Sequence, residues 1–357
     1  MTQTNGIATD SSPLSSLVLN TVPVVAWRSL QLLLGIGALA LAGLYFKQDA
    51  LLYHPEVGNM PRDPARNPRG YRSPAEYQLH HEDLRIICED GVSLHAWLIL
   101  RGKNNPSSSS TPTIIFFHAN AGNMGFRLPN AIEMLQRLEV NILMVEYRGY
   151  GRSDQVAPNE SGLKLDGKAA LRFAQNHPGI DPTNIFLFGR SLGGAVTFAT
   201  AQYAQANSNG KGANNIYPLK GIIVENTFTS IPDVVDHLMP LIAKFKNLIL
   251  AIRWNSRAIA PTLSYPVLYL AGNRDEIVPH SHMLKLHEMT TRSVLNRLHV
   301  INRGTHNDSY MKGGEMYWDA FKSFLAGAIS ISNNNDIVRI DVAASSSEVN
   351  HISKKEL

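Results

Sequence analysis

Most of the architecture follows from NIFLFGRSLGGAVTFATAQYAQ, Asn184 to Gln205. The short apolar run reads as a buried strand, the Ala-rich tail as a helix of about four turns, and G-R-S-L-G joins the two. Glycine at 189 and 193 removes side chains that would collide in a sharp turn, which leaves Ser191 at the tip with its hydroxyl above the sheet. The helix N-terminus adds the positive end of a dipole there. G-x-S-x-G alone is a weak signal, because glycine and serine are common. The strand-turn-helix setting is what reads Ser191 as a nucleophile rather than a small residue where a helix starts.

A serine hydroxyl is a poor nucleophile at neutral pH; it needs a base, and the base needs an orienting group. PVLYLAG is followed by NRDEIVP, which puts Asp275 just past a strand's C-terminal end, and RLHVIN is followed by RGTHNDSY, which puts His306 in the next such loop. Glu276 and Asp308 adjoin these positions as alternative carboxylates, and the post-strand position favours Asp275. Of thirteen histidines, His80, His81, His237 and His287 lack such a position and read as surface or packing residues. His280 and His282 in PHSHM lack the companion ligands of a metal site. Acyl transfer also needs donors for an oxyanion, and the small-residue turn after TIIFFH, in HANAGNMG, offers a place for them. His118 at its start reads as a structural residue that holds the turn.

Around this core the chain is organised in a simple order. From Gln78 to Ala328 short apolar runs alternate with helix-length segments, the pattern of a mostly parallel sheet covered on both faces. Eight strands are expected: LRIIC, SLHAWLIL, TIIFFH, NILMVEY, NIFLFG, GIIVEN, PVLYLAG and RLHVIN, the first two as a hairpin around EDGVS. Residues 1–28 read as a disordered segment, 47–77 as an irregular Pro- and Arg-containing linker, and 329–357 as a second tail. Between the first two lies SLQLLLGIGALALAGLYF, Ser29 to Phe46, uncharged and bracketed by Arg28 and Lys47. Its last 17 residues rise about 26 Å as a helix, close to the thickness of a bilayer core. Its length and late start favour an uncleaved anchor over a signal peptide.

Composition excludes several classes. The 357 residues are 44% hydrophobic and carry 33 basic and 29 acidic side chains interleaved along the chain, so no nucleic-acid partner is indicated. Cys88 is the only cysteine, which rules out an internal disulfide, and its place in LRIICED reads as a buried structural thiol. Lys47, Arg62 and Arg66 follow the span where only Arg28 precedes it, a slight lean toward a cytosolic domain. A glycosylation sequon at Asn159 leans the other way, and the terminal KKEL reads as an endoplasmic-reticulum signal on either side of the membrane.

Taken together, HANAGNMG, EYRGYGRSD, FGRSLGG, VENTFTS, GNRDEIVP and GTHND resemble the α/β-hydrolase superfamily, in its membrane-anchored bud-emergence (Bem) type. The resemblance implies the α/β-hydrolase fold, with Ser191, Asp275 and His306 as the triad, backbone N–H groups of Asn120 and Leu192 as oxyanion donors, and no cofactor. It departs at Ala119, where many members have glycine; a methyl there requires a negative φ. The segment at about 228–264, apolar and broken by Pro240, sits where these enzymes carry a lid and reads as a wall for a lipid or acyl chain. The expected activity is a membrane-anchored serine hydrolase acting on a lipid or acylated-protein ester or thioester, a palmitoyl-protein among them. A catalytically idle scaffold at a membrane and a serine peptidase are the alternatives.

Overall fold

The computed structural model of the chain describes residues 13–101, 111–208, 216–239 and 243–331. Pro240 and the terminal KKEL lie outside these ranges.

All eight expected strands form: β1 His81–Ile87, β2 Ser93–Ile99, β3 Thr113–Phe117, β4 Asn141–Val145, β5 Ile185–Arg190, β6 Gly221–Glu225, β7 Val267–Gly272 and β8 Asn296–Ile301. They make one sheet in the order β1-β2-β4-β3-β5-β6-β7-β8. The β1–β2 and β2–β4 pairs are antiparallel, and every other pair is parallel. β3 to β7 are buried at every residue, which explains their continuous apolar runs: both faces of these strands meet helices.

Among the described residues the helices are α1 Pro13–Leu52, α2 Leu128–Leu138, α3 Glu160–Asn176, α4 Leu192–Asn207, α5 Ile231–Leu238, α6 Lys246–Ile249, α7 Ser256–Ile259, α8 Ser281–Met289, α9 Ser309–Lys312 and α10 at 314–331. The core divides into two clusters, one on each face of the sheet. Residues of α2 and α10, such as Leu135 and Phe321, pack with Phe116 and Phe188 on one face. Residues of α3, α4 and α8, such as Leu163, Phe198 and Leu286, pack with Phe117 and Leu187 on the other. Cys88 is buried in this second cluster, with its thiol 3.5 Å from the Asp166 carboxylate. Burial, then that carboxylate, pushes the thiol up to about 12, so it is inert as a nucleophile.

Two expectations about the N-terminal part need correction. The segment read as disordered through 28 is helical from Pro13, and the helix runs past Phe46 to Leu52. Hydropathy falls at Lys47, but Lys, Gln and Ala at 47–50 are good helix formers, so the helix does not end where the apolar run does. Its stretch Val24–Leu52 contains an 18-residue window of mean hydropathy 1.8 and rises about 43 Å, more than enough to cross a bilayer. Leu32, Leu33 and Leu34 on it are about two-thirds exposed, as lipid-facing residues would be.

The linker, too, is more ordered than its composition suggests. It carries 3-10 turns at Pro64–Arg66 and Pro74–Tyr77, capped by Asp63 and Ser73, and it lies against the domain. Asn67 and Asn123 exchange side-chain amide bonds of 2.8 and 2.9 Å, and Arg62 donates to the backbone carbonyls of Gly149 and Gly151. Prolines stop regular structure here without preventing packing.

Candidate active site

Ser191 sits between β5 and α4 at φ 55 and ψ −120, a strained conformation for any residue with a Cβ. The surroundings hold it there: its N–H donates to Glu225 O at 2.9 Å and its carbonyl accepts from Thr227 Oγ1 at 2.7 Å. The flanking glycines are required by space. A Cβ at Gly189 would lie 2.1 Å from Gly193 O, and one at Gly193 would lie 2.1 Å from Phe117 O. The turn therefore aims Ser191 into a cavity of about 840 Å³, whose walls include Leu192, His306, Asn120 and Ala119.

His306 is buried and its Nδ1 lies 2.8 Å from Asp275 Oδ2. The carboxylate accepts the Nδ1 proton, which leaves Nε2 as the free basic nitrogen. Asp275 Oδ1 accepts from the amides of Ile277 and Val278 at 2.9 and 2.8 Å, so both oxygens are engaged. The alternative carboxylates do other work. Glu276 accepts from the His306 amide at 3.3 Å, and Asp308 accepts from the Thr305 amide at 2.8 Å.

Asn226, in VENTFTS, escaped the sequence reading. It holds a left-handed φ of 47, donates to the carbonyls of Thr305 and His306 and to Ser309 Oγ, and accepts from the Gly272 amide at 2.8 Å. One buried side chain thus ties the end of β6 to the start of the Asp275 loop and to the His306 loop. Its position directly after a strand was the available signal.

The loop after β3 carries Ala119 and Asn120 into the cavity wall. Ala119 does not have a positive φ, so its methyl is accommodated. Leu192 is the first residue of α4, and its amide is one of the donors that a helix leaves without an intrahelical acceptor. His118 behaves as a structural residue: Nδ1 lies 2.7 Å from Ala119 O, Nε2 lies 3.2 Å from the buried Glu146 carboxylate, and its carbonyl accepts from Tyr147 Oη. The Asn120 side chain has a second set of partners. Its amide donates to Leu52 O at the end of α1, and its oxygen accepts from Tyr150 Oη at 2.7 Å and from the His54 amide at 3.2 Å.

Two arginines lie close by. Arg190, inside the turn, is buried; its Nε donates to Glu225 Oε1 and its Nη2 to Asn130 Oδ1, both at 2.8 Å. Arg127 lines the cavity and donates to Ala121 O at 3.0 Å, bracing the same loop. Burial and the charge of Arg190 lower it to about 10, which leaves it cationic at neutral pH.

The chain is 34% identical to Protein bem46 of Schizosaccharomyces pombe over 322 residues, covering 88% of this chain and 96% of that one. It is equally identical, at 34% over 306 residues, to alpha/beta hydrolase domain-containing protein WAV2 of Arabidopsis thaliana, covering 82% and 92%. The chain belongs to the Bem46 family of α/β-hydrolases. A Saccharomyces cerevisiae relative of this hydrolase, 32% identical over 84% of the chain and 97% of its own length, is named as a membrane protein. No family model matches the chain. Among solved structures, the Pyrococcus furiosus esterase Pf2001 superposes with a TM-score of 0.55 at 18% identity, covering 77% of the hydrolase and 97% of the esterase. The Butyrivibrio proteoclasticus Est1E structure with ferulic acid superposes at 0.53 and 20% identity, covering 69% and 99%. At these identities the likeness establishes the shared fold.

Proposed function

We propose that this Bem46-family hydrolase is a membrane-anchored serine hydrolase that cleaves an acyl ester or thioester through an acyl-enzyme. The observation that carries the reading is the 2.8 Å contact between His306 Nδ1 and Asp275 Oδ2 in a cavity whose wall holds Ser191 on a strained turn. Ser191 Oγ attacks the acyl carbonyl while His306 Nε2 takes its proton, and Asp275 orients the ring and stabilises its charged form. The amides of Asn120 and Leu192 receive the oxyanion. His306 returns the proton to the leaving alcohol or thiol, and water then releases the acyl group by the same steps in reverse. The substrate is a lipid or an acylated protein, and the site of action is a membrane of the endoplasmic reticulum. No separate cofactor enters this scheme.

The test is labelling of the detergent-solubilised protein by a fluorophosphonate, with turnover of a nitrophenyl ester measured in parallel. The wild type is expected to label, and Ser191→Ala to lose labelling and at least about 1,000-fold in kcat. Labelling that persists in Ser191→Ala sinks the assignment.

A further inference from the structure

The membrane helix does not stop at the edge of the hydrolase domain. Leu51 and Leu52, the last two residues of α1, line the same cavity as Ser191 and His306, and Ile231, Val234 and Leu238 of α5 line it as well. Side chains lock this arrangement in place. Asn120, in the cavity wall beside Ser191, donates to the carbonyl of Leu52, one of the acceptors that the end of a helix leaves open. Gln48 Oε1 accepts from the amides of Ala251 and Ile252, at 2.8 and 3.0 Å, and so fastens the segment after α6 to the helix. Around the same end of α1 and α5, apolar side chains stand uncovered: Leu51, Leu238 and Met239 are each about half exposed.

Position relative to the bilayer follows from α1 itself. Lys47 closes the uncharged run, and the five steps from there to Leu52 rise about 7.5 Å. That is roughly the thickness of one headgroup layer, so for a helix along the bilayer normal Leu52 lies in the interfacial region, next to the level of acyl-ester carbonyls.

We propose that the end of α1 and the facing side of α5 form an acyl-chain subsite, which receives a long-chain ester or thioester directly from the leaflet in which the anchor sits. This rests on the reading of Ser191 as the nucleophile. The chain of the substrate runs between Leu51 and Val234 while its carbonyl reaches Ser191. The anchor is thereby part of the substrate site as well as a tether.

The experiment uses the full-length protein in phosphatidylcholine vesicles, with nitrophenyl palmitate and nitrophenyl butyrate as substrates. The wild type is expected to favour the palmitate in kcat/KM. Leu51→Trp and Val234→Trp, which fill the subsite, are expected to lower the palmitate-to-butyrate ratio at least tenfold, whereas Leu34→Trp, in the middle of the span, keeps it within twofold. A ratio within twofold of wild type in both subsite variants, or a wild type without preference for the longer chain, overturns the subsite. Fluorophosphonate labelling in each variant separates the two claims: labelled protein with an unchanged ratio rejects the subsite alone, and an unlabelled wild type rejects the nucleophile and the subsite with it. Parallel vesicles carrying a palmitoyl-peptide thioester or a monoacylglycerol distinguish the two sources of such a chain. Cleavage of either supports the subsite, and cleavage of neither overturns it.

Discussion

Arg190 is a large charged residue at the end of the strand, just before Ser191, where a small side chain would be the simpler choice. Its guanidinium bridges Glu225 and Asn130 and stacks over the Tyr310 ring at 5.6 Å, while Tyr317 Oη donates to the second oxygen of Glu225 at 2.7 Å. Burial works against its charge, but Glu225, Tyr317 and Tyr310 together outweigh it and hold Arg190 above the usual arginine value. Removing one member of a buried pair strands the other, so Arg190→Ala is expected to cost about 3–5 kcal/mol. Arg190→Lys keeps the charge but lacks the planar fork that spans both acceptors, and should fall between the two. Denaturant midpoints in detergent rank the three proteins; an Arg190→Ala protein as stable as wild type would contradict the account. The sequence could not show this partnership, because Glu225 and Asn130 lie 35 and 60 residues away and belong to no local pattern.

At the scale of elements, legibility followed burial. The central strands announce themselves because both faces are covered, which forces continuous apolar runs in IIFF, ILMV and IFLF. The serine turn is legible for a steric reason, since only glycine fits at 189 and 193. Asp275 and His306 were legible from their places after β7 and β8, and the structure joins them. The end of α1 was not legible, because charge at Lys47 and Asp49 interrupts hydropathy without breaking a helix. Nor was the second role of Asn120, whose acceptor at Leu52 is 68 residues away. The turn provides its own test. Gly193→Ala places a methyl against the Phe117 carbonyl, which is backbone of β3 and cannot rotate aside. Fluorophosphonate labelling of Gly193→Ala is expected to drop at least about 100-fold through displacement of the Ser191 hydroxyl and the Leu192 amide. Labelling at the wild-type rate would show that the close fit is not required.

For the whole molecule, the question is whether α1 is separable from the α/β-hydrolase domain. Two shortened chains decide it: one beginning at Lys47, which loses the span, and one beginning at Pro55, which also loses the segment that enters the domain. The first retains Gln48, which accepts from the amides of Ala251 and Ile252, and Tyr53, which is 3% exposed and accepts from Trp254 Nε1 at 2.8 Å. The second leaves that indole N–H without its partner, at about 1–3 kcal/mol, and forfeits the burial of the Tyr53 ring, at about 1.5–3 kcal/mol. It also leaves Asn120 and Tyr150 without the His54 amide beside the Ser191 cavity. The chain from Pro55 is therefore expected to be less stable than the chain from Lys47 by at least about 3 kcal/mol in denaturant unfolding, and to label more slowly with a fluorophosphonate under native conditions. Equal stability and equal labelling would make α1 a mere tether. The expected difference would instead place the domain boundary inside α1, about one turn before its end, because that turn belongs to the wall of the Ser191 cavity.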